Sequence, residues 1–169
     1  MSLFERTLSI TVLLMGASAA LAFSAADTRV FINELHYDNR GTDLNEAVEI
    51  AGPAGTDLTG WRVVFYNGSN GKAHESVTLS GTLRDQGSGT GVVVVKPPRN
   101  TLQNGPDGLA LVDPQGRVIQ FVSYEGVFSA LDGPAQGLMS TDLGVSEGSG
   151  ATAEGSLQLF GSGSTYGDV

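Results

Sequence analysis

The side chains best equipped for chemistry crowd into one stretch, INELHYDNRGTDLNEAVEI, from Ile32 to Ile50. Glu34, Asp38, Asp43, Glu46 and Glu49 flank His36 there, and His74 is the only other histidine of the chain. An acid/base pair for hydrolysis needs two carboxyl groups facing one cleft in different protonation states. No spacing in this stretch marks out such a pair. Zinc needs a nitrogen and sulfur ligand set that two histidines and no cysteine cannot complete. A histidine-dependent nuclease would join His36 to Asn39 or another partner, and would add a metal ligand and a basic groove. His36 reads instead as a side chain at the end of a strand.

Calcium is the cofactor with the most physical sense. Asp38, Asn39, Asp43 and Glu46 offer hard oxygens, and Gly41 allows a tight bend between them. Calcium takes roughly six to eight oxygens, backbone carbonyls and water included. The spacing is not that of an EF-hand. The same residues also suit a polar loop between strands, with an Asx turn at Asp38 or Asn39. Glu34 and Glu49 fall inside strand patterns. Facing inward, each needs a partner such as Arg29, Arg62 or backbone amides, because a buried lone carboxylate is costly. At a strand edge neither needs one.

The rest of the chain offers little else to catalysis. There is no G-x-S-x-G elbow, and no glycine loop is followed by the Lys-Ser/Thr of a phosphate site. The formal net charge is −9, with only two lysines, Lys72 and Lys96. The basic residues form no run, so no direct nucleic-acid binding is expected, since that contact depends on a Lys/Arg footprint.

The elements that must position these groups are short strands. RVFINEL from Arg29, EAVEIAG from Glu46, WRVVFYN from Trp61, SVTLSG from Ser76, GVVVV from Gly91 and SLQLF from Ser156 are rich in β-branched and aromatic residues. In the third, Trp61, Val63 and Phe65 alternate with Arg62, Val64 and Tyr66. Trp61 therefore reads as core packing. Pro97-Pro98 ends the GVVVV run. LALVDPQGRVIQFVSY, Leu109 to Tyr124, is a hairpin around Asp113-Pro114-Gln115-Gly116, whose residues suit a type I turn. Ser129 to Gly155 is too long and too rich in Gly, Ser and Ala for an ordinary hairpin loop. No long helical periodicity follows the first segment, so the fold class is all-β, a sandwich or barrel.

That first segment is different. Leu8 to Met15, LSITVLLM, follows Arg6 and leads into ASAALA, the layout of a cleaved signal peptide over residues 1–22. Cleavage is expected after Ala22, giving Phe23 as the first residue, or after Ala26, giving Asp27. The apolar run is shorter than the roughly 20 residues of a spanning helix. The mature chain is thus expected to be secreted or on the cell surface, with no membrane span. A domain of its size buries roughly 68–70% of its unfolded surface, which suffices for a core without disulfides.

VFINELHYDNRGTDLNEAVEIAGPAGTDLTGWRVVFYNGSNG, NGPDGLALVDPQGRVIQFVSYEG, DGPAQG, STDLGVSE and GSLQLFGSGSTYGDV, taken in order, resemble a bacterial lamin-tail domain. The resemblance spans residues 29–169. It implies an immunoglobulin-like β-sandwich, often secreted or surface-bound and often a neighbour of nucleases or other hydrolases. It carries no catalytic residues over to this chain. Relatives run on past the equivalent of YGDV with a tryptophan and a last strand, so here that strand is expected to be missing or otherwise supplied. The expected function is a non-catalytic binding or tethering module with a protein or surface partner. The alternatives are a component of an extracellular nuclease or hydrolase system, and a purely structural β-module.

Overall fold

The computed structural model describes residues 29–148, 150–151 and 155–159. Residues 1–22, where a signal peptide is expected, and the chain beyond Leu159 lie outside the described residues. Among the described residues nine strands follow one another: β1 Phe31–His36, β2 Ala47–Pro53, β3 Arg62–Asn67, β4 Lys72–Thr78, β5 Thr90–Val95, β6 Asp107–Val112, β7 Val118–Tyr124, β8 Thr141–Asp142 and β9 Leu157–Gln158. One sheet has the order β5-β2-β1-β9 and the other β4-β3-β6-β7-β8. All pairings are antiparallel except β7 with β8. Among the described residues no helix is long and apolar enough to cross a membrane. The chain is an all-β sandwich, as the strand patterns predict.

The main core joins both sheets. Leu35, Val48 and Ile50 from the first meet Val63, Phe65 and Leu111 from the second, all fully buried. Their spacing of two along each strand sends them to one face. Trp61 packs against this core while staying half-buried. The Asp113–Gly116 hairpin forms as expected, with Gly116 N–H donating to the Asp113 carbonyl at 3.0 Å and Gly116 at φ 81°. Arg117 closes it on Asp113 at 2.6 Å.

Both faces of β3 are covered: Val64 and Tyr66 are as buried as Val63 and Phe65. The cause is the segment between β7 and β8, which folds back as a flap over the outer face of the second sheet. Phe128, Ala130 and Ala135 form a second core with Val64, Tyr66 and Phe121. Phe128 meets Phe121 edge-on, with ring centroids 5.4 Å apart. Hydrogen bonds pin the flap: Leu131 N–H to the Gly71 carbonyl at 2.7 Å, Ala73 N–H to Asp132 Oδ1 at 2.7 Å and Ala135 N–H to the Tyr66 hydroxyl at 3.0 Å.

Candidate functional site

The acidic stretch runs from β1 through its loop into β2, at one end of the sandwich. Three carboxylates anchor this end of the sandwich, one of them, Glu46, from the stretch itself. Glu46 is an anchor. Its carboxylate accepts the N–H groups of Asn100, Thr101 and Leu102 at 2.6, 3.0 and 2.9 Å. This ties the start of β2 to the loop between β5 and β6. The charge on the acceptor makes such bonds stronger than neutral ones.

Glu147 is a second anchor. It accepts Tyr37 N–H at 2.6 Å and Asp38 N–H at 2.8 Å through one oxygen, and lies 2.8 Å from His36 Nδ1 through the other. Glu147 N–H donates in return to the Tyr37 hydroxyl at 2.8 Å. His36 is indeed a strand-end residue, and it is buried. Its Nε2 lies 3.1 Å from both the Leu44 carbonyl oxygen and Asn39 Nδ2. Both ring nitrogens are therefore occupied, and neither faces solvent as a free base.

Glu125 supplies the third anchor. It accepts the Tyr37 hydroxyl at 2.9 Å and Gly105 N–H at 2.9 Å. Tyr37 also stacks on Tyr124, with centroids 3.9 Å apart and planes 20° apart. Burial and, after it, the Glu125 hydrogen bond push the Tyr37 phenol well above its usual range. Burial does the same to Tyr124. Asp107, buried at the start of β6, accepts Gly68 N–H at 3.0 Å and Gln103 N–H at 3.2 Å, and burial raises its carboxyl pKa.

Of the four residues predicted to hold calcium, Asp38 and Asp43 come together. Burial and then the Asp43 charge raise the Asp38 pKa, while the neighbouring Asn104 side chain lowers it. Asn39 does not join them: its amide donates to the Leu44 carbonyl at 2.9 Å, while its own N–H reaches Asp43 Oδ1 at 3.3 Å. Glu46 is taken up by its three amides. Among the described residues no three His, Asp or Glu side chains converge as a metal site.

Glu34 and Glu49 sit opposite each other in the β1–β2 register, half-buried. Neither meets the arginines considered above. Asn33, the extra residue of a bulge between Ile32 and Glu34, donates its amide to Glu49 Oε1 at 2.8 Å, and the Ser156 hydroxyl donates to Glu34.

Sequence reasoning missed Glu147 and Glu125 as anchors, and it missed the outer surface of the flap. Val127, Leu131, Leu138 and Met139 are 57%, 61%, 45% and 68% exposed there. The only sequence signal for this was the alternation VFSAL, Val127 to Leu131, which leads into the Gly/Ser-rich stretch. No family model, curated protein or solved structure matches this chain.

Proposed function

We propose that this chain is a secreted, non-catalytic binding or tethering module of the lamin-tail, immunoglobulin-like kind. Its contact surface is the exposed apolar side of the flap. The observation that carries this reading is the exposure of Val127, Leu131, Leu138 and Met139 on a segment whose opposite side is firmly held. Apolar groups gathered at an exposed place favour protein contacts, and a pinned scaffold loses little entropy when a partner docks. The engagement of both His36 nitrogens supports the absence of catalysis, as does the use of Glu46, Glu125 and Glu147 as amide acceptors. The partner is a protein of the surface or the extracellular space.

The test is a Leu131→Ser, Met139→Ser double variant, compared with the unaltered chain for retention on the producing cell. Reduced retention with an unchanged melting temperature supports the reading. Full retention overturns it.

A further inference from the structure

The Asn104–Gly105 peptide lies between two carboxyl groups delivered by other loops. Gly105 N–H donates to Glu125 Oε2 at 2.9 Å, and the Asn104 side chain lies close enough to the Asp38 carboxyl to favour its charged form. Glu125 is placed against its own backbone preference. It adopts φ 59°, a left-handed conformation that non-glycine residues rarely take. Its other carboxylate oxygen is fixed by the Tyr37 hydroxyl. Gly105 is the residue that lets this carboxylate come so close. A Cβ there would lie 2.4 Å from Glu125 Cβ and 2.7 Å from Oε2. Asn104 itself is exposed, so water reaches it.

The chain contains two other Asn-Gly pairs, and their side chains are tied differently. Asn67 Oδ1 accepts Ser69 N–H at 2.9 Å, and its amide donates to Gln103 at 2.9 Å. Asn70 Oδ1 accepts Lys72 N–H at 2.9 Å, while Gly71 N–H is committed to the Asn67 carbonyl at 2.8 Å. These are Asx turns that hold the side-chain carbonyl toward the residue two places on. Gly68 N–H does meet a carboxylate, Asp107 at 3.0 Å, but beside an asparagine held at both ends. Only at Asn104 does a carboxylate at the following N–H combine with a side chain free of an Asx turn.

We propose that Asn104–Gly105 is a self-modification site, at which the folded protein converts Asn104 to aspartate and isoaspartate with Glu125 as the base. Glu125 Oε2 takes the Gly105 amide proton as the nitrogen attacks Asn104 Cγ. A new N–Cγ bond forms, giving a five-membered succinimide. The Cγ–Nδ2 bond breaks, the departing nitrogen receives that proton, and ammonia leaves. Water then opens either carbonyl of the imide, yielding aspartate or isoaspartate. No electrons are exchanged, and water is the only co-reactant. The Asp38 carboxyl lies beside the departing amide. The product places a further carboxylate against Asp38 and Asp43, so the reaction adds charge to an end of the sandwich that is already acidic.

The test is incubation of the purified full chain at neutral pH, with peptide mapping of Asn67, Asn70 and Asn104 over time, in the folded state and in denaturant. Asn104 is expected to convert several-fold faster than the other two when folded, with release of ammonia, and the three rates are expected to converge in denaturant. Glu125→Gln should slow Asn104 several-fold and leave Asn67 and Asn70 unchanged. Folded Asn104 reacting more slowly than in denaturant would overturn the proposal, because the contact would then be protective. The wild-type comparison decides this even if Glu125→Gln does not fold.

Discussion

Removing the Glu46 carboxylate isolates the anchor between the start of β2 and the loop after β5. In Glu46→Ala the N–H groups of Asn100, Thr101 and Leu102 lose their acceptor. Asn100 is exposed and recovers a bond to water, while Thr101 and Leu102 are buried. Each buried donor left unpaired costs about 1–3 kcal/mol. Two of them give a loss of about 4 kcal/mol, a large fraction of the roughly 5–15 kcal/mol that holds a domain folded. At about 2–4 °C per kcal/mol for a domain of this size, the melting temperature falls by about 8–16 °C. Glu46→Gln keeps one carbonyl oxygen as acceptor and should lose about half as much. Urea denaturation of the three proteins measures the cost, with the slope unchanged because the surface exposed on unfolding is the same. A loss below about 1 kcal/mol for Glu46→Ala would refute the anchoring role. So would a loss that disappears when a chelator is added to both proteins, since the amides need no metal.

Three further outcomes follow from the same geometry. Asp43→Asn should raise stability at neutral pH. Asp38 has a pKa raised above its ordinary value of 3.8, so its penalty is absent below that pH and fully present above the folded value. The gain should therefore vanish in acid melts, and a gain of equal size at every pH would contradict it. Gly108→Ala puts a Cβ 2.5 Å from the Val122 carbonyl and 3.0 Å from Phe128, and should cost about 1–3 kcal/mol. Faster amide exchange in residues 128–135 is the readout. Millimolar calcium should leave the melting temperature unchanged, because Glu46 and Asn39 are turned to other partners. A rise that Asp43→Asn removes would restore the four-residue ligand set.

Much of the fold was legible because its signals are local. Strands β1 to β3, β5 and the β6–β7 hairpin announce themselves through β-branched runs and turn residues, and the structure has each of them. β4 begins at Lys72 rather than Ser76, since an edge strand with Lys72, His74 and Ser76 on its exposed side lacks an apolar pattern there. β8 is two residues long and sits in a Gly/Ser-rich stretch, so no periodicity could mark it. The stretch from Ser129 stood out as more than a hairpin loop, but where it packs was not legible, for a related reason. Its hold on β3 and the turn after it passes through contacts such as Ala135 to Tyr66 and Leu131 to Gly71, which no spacing along the chain encodes. The site was legible as a place and not as a set of roles. A carboxylate in a polar loop looks the same whether it faces a cation or amides. The amides of Glu46 lie 54 to 56 residues away, and the partners of Glu147 lie 109 to 111 residues away.

The most direct measurement of the central claim is photo-crosslinking on living producer cells. A photoreactive residue is placed at Met139, on the exposed side of the flap, or at Ser88, in the exposed turn before β5. A partner protein that crosslinks from position 139 and not from position 88 is the predicted result. Equal labelling from both positions, or crosslinks from position 88 alone, would contradict a binding module that works through its flap.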